Sequence, residues 1–270
     1  MQTGDTKFAG SIPDIYDRYL VPLLFQPYAD DLAQRLLALR HGTLVEVAAG
    51  TGAVTHTLRH TLSSDVRILA TDLNEGMLRV NSQRVSDPSV SFQRADAQQL
   101  PFEDGSANAV VCQFGMMFVP DKVAAYREAR RVLAPGGRLL FNVWDSLTHN
   151  EVSQMVMRAV ASLFPNDPPA FFDRIPFAFF DAARLRADLK GAGFEQIEIE
   201  TVAKVSQAPS AEHVAIGMCQ GTPLRSEIEA RDPQTGLARA TAAATAALQA
   251  HFGAGPFENR MSAVVVTALR

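Results

Sequence analysis

The chain has 270 residues, 47% of them hydrophobic, with 25 Lys and Arg against 29 Asp and Glu and two cysteines. A net charge of −4 offers no field to hold a polyanion, which argues against nucleic acid as a partner, and two cysteines cannot build a disulfide framework. The hydrophobic share excludes a disordered chain, residues 1–17 lack the apolar stretch of a secretory signal, and no apolar run approaches the roughly 20 residues that span a bilayer. The expectation is a soluble, cytoplasmic protein with no integral membrane segment, built as one large domain with an appended lobe.

In chain order, Ile12 to Leu39 comes first, apolar and aromatic with Tyr16, Tyr19, Phe25 and Tyr28. Pro22 and Pro27 predict two helical pieces rather than one, either plain core or a flap over a site. Thr43 to Ala48 reads as a buried strand, Val54 to Leu62 as a helix and Arg67 to Asp72 as a second strand. Asn74 is placed to cap a helix running to Val85. Val90 to Arg94 is a short third strand, and Asn108 to Gln113 a fourth, opened by the turn Asp104-Gly105. Asp121 can cap a helix whose Val123, Ala124, Tyr126, Ala129, Val132 and Leu133 share a face. Pro135-Gly136-Gly137 is expected to stop it before a fifth strand, Arg138 to Trp144. Strand–helix alternation with continuous apolar strands predicts an α/β fold, a parallel sheet covered on both faces.

Residues 146–180 break that pattern. They are rich in Phe and Pro and read as an insertion. Asp181 to Lys190 is helical and ends at Gly191, and Phe194 to Val205 alternates like a strand with one wetter face. Asp232-Pro233 interrupts the helical region before an Ala-rich helix, Leu237 to Phe252, and Ser262 to Leu269 is the last strand.

The most informative stretch is Leu44-Val45-Glu46-Val47-Ala48-Ala49-Gly50-Thr51-Gly52. A strand runs into a glycine turn and then into a helix whose N-terminus faces whatever lies there. Asp72 ends the second strand 20 residues after Gly52, where an acid in a doubly wound sheet can accept both hydroxyls of a ribose. A dinucleotide usually needs a third glycine where Thr55 stands. Glu46, inside the first strand, would repel a pyrophosphate but suits a ligand with ammonium and sulfonium charges, which is S-adenosylmethionine (SAM).

The segment Leu44 to Gly52 resembles the first motif of the class I SAM-dependent methyltransferases. Asp72, in Ile68-Leu69-Ala70-Thr71-Asp72-Leu73, matches that family's ribose-binding acid. Arg94-Ala95-Asp96-Ala97-Gln98-Gln99-Leu100-Pro101-Phe102 is similar to its adenine-side loop, and Leu133-Ala134-Pro135-Gly136-Gly137-Arg138-Leu139 to the turn before its fifth strand. The four motifs follow in order over about residues 44 to 145, and the nearest look is of the small-molecule branch that includes the ubiquinone/menaquinone-biosynthesis enzymes. The departure is Ala48, where the family usually has glycine, and its methyl is expected to crowd the methionine moiety slightly.

The resemblance implies a Rossmann-like, doubly wound seven-stranded sheet, mostly parallel, with the last strand antiparallel beside the fifth. It implies a helical N-terminal flap over residues 1–42 and a SAM-binding domain over 43–270, with a substrate-cap insertion at about 146–180. Gly50, Thr51 and Gly52, with Ala48, would lie under the methionine part and sulfur, and Glu46 would hold the loop through backbone or water contacts. Asp72 would take the ribose hydroxyls. Leu73 and Met77 would cover one adenine face, Asp96 would accept from the adenine amino group and the Ala97 amide would donate to the ring. Gln113 and Phe114 would sit beside the amino acid end and mark the door to the acceptor. Tyr16 and Tyr19 would close over SAM as a flap.

Methyl transfer from a sulfonium is an in-line displacement whose leaving group is already good, so placing the nucleophile is the main task. A base is needed only for an acceptor that arrives protonated. His149, after the fifth strand and oriented by Asp145, is the one candidate, against a plain loop histidine or no catalytic residue at all. The partner implied is a small-molecule acceptor, lipophilic or aromatic, lined by the insertion, the N-terminal segment and Met116, Met117 and Phe118. The product would be S-adenosylhomocysteine. Cys112 and Cys219 are isolated and no carboxylate cluster has ligand spacing, so no metal is expected. A homodimer is left open. Two other readings stand beside this one: a SAM-fold protein that binds without transferring methyl groups, and a nicotinamide-dependent oxidoreductase, disfavoured by Thr55, Glu46 and the lack of a Tyr-x-x-x-Lys pair.

Overall fold

A computed structural model describes residues 10–270, so the first nine residues of the expected flap lie outside the described residues. The chain opens with α1 (Ile12–Ile15), a π-helical stretch (Tyr16–Phe25) and α2 (Gln26–Arg35). Then come β1 (Gly42–Val47), α3 (Ala53–Thr61), β2 (Val66–Asp72), α4 (Glu75–Arg84), β3 (Val90–Arg94), β4 (Ala107–Gln113), α5 (Lys122–Val132) and β5 (Leu133–Trp144). The remainder is α6 (Glu151–Ser162), α7 (Phe171–Arg174), α8 (Ala182–Gly191), β6 (Gln196–Ala208), α9 (Ala211–Gln220), α10 (Leu224–Arg231), α11 (Gly236–Phe252) and β7 (Phe257–Leu269).

The strands form one sheet in the order β3-β2-β1-β4-β5-β7-β6. β1 pairs in parallel with β2 and β4, β2 with β3, and β4 with β5. β7 runs antiparallel to β5, as expected of the last strand. The strand order reverses direction between β1 and β4, and open α/β sheets bind ligands at such a switch point, outside the carboxyl ends of the strands. β1 and β4 are buried along nearly their whole length, which is why they read as unbroken apolar runs. The helices start where a short acceptor side chain precedes them. Asn74 accepts from the Met77 amide, Asp121 from Ala124 and Asp181 from Arg184, each satisfying a donor the helix leaves free.

Two local expectations are corrected. The N-terminal segment is helical without a break from Ile12 to Arg35, and Pro22 sits inside the π-helical stretch. A π register hydrogen-bonds five residues back, so the wider turn relieves the carbonyl that a proline ring would strike in an α-helix. The second correction concerns Pro135-Gly136-Gly137. α5 already ends at Val132, and strand pairing begins at Leu133 opposite Ala107, with an irregularity before it resumes at Arg138 opposite Ala109.

By internal contacts the chain groups into two compact units. One comprises residues 28–144, 179–202 and 263–270. It carries the sheet core and, between β1 and β5, all the motif residues named above. The other comprises residues up to 27, 145–178 and 203–262. It takes in α9, α10 and α11 as well as the insertion. Phe171, Phe172 and Phe177 are buried in it and pack on one another, with ring centroids 5.8 and 5.9 Å apart. Glu227 of α10 fastens the insertion to this unit, accepting from the Ala170 amide at 2.8 Å and pairing with Arg174 at 2.7 Å. Among the described residues no helix is long and apolar enough to cross a membrane.

Candidate functional site

β1 ends at Val47, and the chain turns through Ala48 at φ +54°, Gly50 at +57° and Gly52 at +92° before α3 begins. The left-handed conformation costs an alanine about 1–2 kcal/mol. Ala48 and Phe114, at φ +49°, are the two non-glycine residues held there among the described residues, and they follow the neighbouring strands β1 and β4. Ala48 is fitted to Gly115: a Cβ on residue 115 would collide with the Ala48 methyl and with Cys112 Sγ. Gly52 is required twice over, by its φ and because a Cβ there would strike the Asn81 carboxamide.

Asp72 joins this loop to the end of β2. Its Oδ2 accepts from the Gly50 amide at 2.9 Å and its Oδ1 from the Asn74 amide at 2.7 Å. Burial raises the Asp72 carboxyl above the usual range, and the amide donors pull it back. A carboxylate offers about four lone-pair sites, more than the amides it serves here, so it can still receive a hydroxyl donor.

Glu46 is buried behind the loop, and burial pushes its carboxyl up to about 8. Its Oε2 accepts from Thr55 Oγ1 at 2.6 Å, and Thr55 Oγ1 accepts from Asn81 Nδ2 at 2.8 Å. Glu46 thus meets the first turn of α3 through both the side chain and the backbone of Thr55, the residue that stands where a dinucleotide fold would place its third glycine. The signal for Asn81 was legible, since it lies with Met77 and Leu78 on the buried face of α4.

Around this centre the expected residues fall unequally. Leu73 is 54% exposed beside Asp72, and Met77 is buried. Asp96 is engaged in its own turn, with Oδ1 accepting from the Gln98 amide at 2.9 Å and its carbonyl from the Gln99 amide at 3.0 Å; Ala97 lies within that turn. Phe114 is not an open doorpost. It is buried, stacked on Trp144 at 3.9 Å between centroids, and Tyr28 meets both rings edge-on. Thr51 is buried, and its Oγ1 has no partner among the described residues.

Tyr19 and His149 belong to the other unit. The Tyr19 ring packs on His213, 4.7 Å between centroids, and the Tyr19 carbonyl lies 3.1 Å from His213 Nε2. His149 Nδ1 lies 2.9 Å from Asp145 Oδ2, which also accepts from Ser262 Oγ at 2.8 Å. Asp145 Oδ1 accepts from the Ser146 amide at 2.6 Å. A buried aspartate so held fixes the imidazole with its proton on Nδ1 and Nε2 as the basic nitrogen, on a ring 64% exposed. Ser262, distant in sequence, carried no signal for this contact.

A left-handed loop after β1, an acid at the end of β2 bonded to that loop and a 3-2-1-4-5-7-6 sheet are the features expected of the SAM-dependent class, gathered at the switch point of the sheet. Comparison agrees: the family model described as a methyltransferase domain matches residues 45–141. The ubiquinone/menaquinone biosynthesis C-methyltransferase of Pseudomonas fluorescens is 34% identical over 151 residues, 52% of this chain and 59% of that protein. The Shewanella woodyi protein of the same description is 30% identical over 173 residues, 57% of this chain and 67% of its own. The chain belongs to the class I SAM-dependent methyltransferase family. It spans 59% of the length of the Pseudomonas relative. The YcgJ protein of Bacillus subtilis shares the fold, with a TM-score of 0.57 at 16% identity, over 90% of this chain and 98% of that one.

The fit of Ala48 to Gly115 is testable. Gly115→Ala is expected to destabilise by about 1–3 kcal/mol through overpacking, and Ala48→Gly in the same chain to restore part of it, the clash with Cys112 Sγ remaining. Urea unfolding of the two single variants and the double variant checks this; additive losses would contradict the contact.

Glu46 gives a pH dependence. An unfolded glutamate releases its proton near pH 4.5, and the folded one near 8, so between those values the folded state binds the extra proton. Stability is therefore expected to fall as pH rises from about 4.5 to 8, by at most about 1.4 kcal/mol per unit from this group, and to level off above. Glu46→Gln should flatten that slope in urea titrations at several pH values.

Proposed function

We propose that the chain transfers the methyl group of SAM to a small acceptor with a lipophilic or aromatic body, releasing S-adenosylhomocysteine. The observation that carries this reading is the bond from the Gly50 amide to Asp72, which sets a ribose-type acceptor beside a left-handed loop. The unpartnered Thr51 hydroxyl fits the cofactor as a group waiting for the polar end of methionine.

In this reading Asp72 receives the ribose hydroxyls, and Ala48, Gly50, Thr51 and Gly52 cradle the methionine part and sulfur. Exposed Leu73, with Met77 beneath, covers one adenine face. Asp96 and the Ala97 amide meet the adenine edge, Asp96 through the carboxylate capacity its turn leaves over. Glu46 stiffens the loop from behind through Thr55. Gln113 and the main chain of Phe114 border the amino acid end and the way to the acceptor. Bound SAM supplies an electrophilic methyl on a good leaving group. The acceptor's electron pair forms the new bond to the methyl carbon while the S–C pair returns to sulfur. The Pseudomonas and Shewanella relatives are named as C-methyltransferases of ubiquinone and menaquinone biosynthesis, which supports a quinone-related ring as the first acceptor class to try.

Calorimetric titration with SAM, S-adenosylhomocysteine and NADH tests the cofactor. The adenosyl ligands are expected to bind and NADH not. Asp72→Ala should weaken them about 10- to 100-fold, the worth of charge-assisted hydrogen bonds to a ribose. NADH binding, or no binding at all, would overturn the reading.

A further inference from the structure

We propose that Asn142 and Gln113 select an acceptor carrying a hydroxyl group. Asn142 Nδ2 donates to the hydroxyl oxygen and Gln113 Oε1 accepts the hydroxyl's hydrogen bond. The inference rests on the methyltransferase reading above and deepens it.

Gln113 is the last residue of β4 and stands opposite Asn142 of β5 in the parallel register. Paired residues project to the same face, from strands about 4.8 Å apart. Asn142 is 1% exposed. Its Oδ1 accepts from the Phe114 amide at 2.9 Å, a donor shared with the Asn142 main-chain carbonyl at 3.1 Å, and this contact turns the carboxamide oxygen toward Phe114. Nδ2 is the atom left over, and it has no partner among the described residues. Gln113 Oε1 is buried and equally without a partner. An unpaired buried polar atom costs about 1–3 kcal/mol. Here a donor and an acceptor on neighbouring strands both bear that cost without meeting each other.

The chemistry of the missing group follows. A hydroxyl accepts and donates through one oxygen and satisfies both amides. A ketone or ether could meet Asn142 but would leave Gln113 unpaired. An ammonium would face the Asn142 donor, and a carboxylate the Gln113 oxygen. The pair lies at the carboxyl ends of β4 and β5, the edge at which open α/β sheets bind ligands. Gln113 as a residue is only half-buried, which leaves an approach past it. Sites built to hydrogen-bond a hydroxyl reject analogues that lack it far more strongly than apolar pockets reject a methyl group.

The test uses the full chain saturated with S-adenosylhomocysteine and titrated calorimetrically with phenols and naphthols and with their methyl ethers. The wild type is expected to prefer the hydroxyl compounds. Asn142→Asp keeps the oxygen that receives the Phe114 amide and removes the donor. Gln113→Met removes the acceptor at a half-buried position and carries the test alone if the aspartate variant fails to fold. Gln113→Met should weaken the hydroxyl compounds at least 10-fold and leave the ethers within 2-fold, and Asn142→Asp, which removes the donor that both classes can meet, should weaken the ethers at least as much as the hydroxyl compounds. Both should leave S-adenosylhomocysteine affinity unchanged. Equal losses for hydroxyl compounds and ethers in Gln113→Met would make the pair a packing feature and overturn the proposal. A loss confined to S-adenosylhomocysteine would give the pair to the cofactor and also overturn it. So would a wild type with no preference for hydroxyl compounds, or variants with no effect. Failure of the wild type to bind S-adenosylhomocysteine is a different result, because it sinks the methyltransferase reading itself.

Discussion

The bond from the Gly50 amide to Asp72 is the constraint on which the rest of the site depends. A carboxylate at the end of one strand takes an amide from the loop that ends its neighbour, and the same carboxylate takes the amide of Asn74 at the start of α4. One side chain thus fixes the β1 loop, the β2 terminus and the entry to a helix. Its lone pairs exceed the amides it serves, so the joint is also an open acceptor. The loop can adopt its left-handed path because Gly52 leaves room for Asn81, and because Gly115 leaves room for the methyl of Ala48. Strain at Ala48 and Phe114 is stored where β1 and β4 part, and such strain persists only where the surroundings over-determine it.

Behind the loop, the burial of Glu46 has a consequence for charge. A carboxyl raised to about 8 is protonated near neutral pH, so without ligand it offers no negative field to a sulfonium. The charge argument that favoured SAM over a pyrophosphate therefore loses force in the ligand-free protein. What distinguishes the site instead is steric. Thr55 and Asn81 occupy the space under the loop that a third glycine would open for close helix–sheet packing.

Much of the fold was legible because its signals are local. β1 and β4 read as strands since both their faces are buried. Asn74, Asp121 and Asp181 announced their helices because a cap acts within three residues. Pro22 misled because its effect depends on the helical register, and a π turn tolerates what an α turn does not. The site was legible where a backbone conformation demanded a residue type, as at Gly52, or where a strand end demanded an acid, as at Asp72. It was illegible where a partner is set by pairing across the sheet. Nothing near Phe114 announces that Trp144 will stack on it, and nothing near Gln113 announces Asn142. The same holds for Asp145, whose Ser262 partner is 117 positions away.

That division follows from the chemistry. Displacement at a sulfonium asks the protein to hold the cofactor and aim the acceptor, so the cofactor side is built from backbone geometry, and backbone geometry leaves glycines and strand-end acids in the sequence. The acceptor side is built from side chains that meet only after folding, and it differs among proteins that share this sheet. On the reading proposed above, unpaired polar atoms are the most direct record of what the acceptor side expects, because a buried polar atom without a partner costs about 1–3 kcal/mol. By that criterion Asn142 and Gln113 say more about the acceptor than the aromatic residues of the insertion. Phe171, Phe172 and Phe177 are already satisfied by one another.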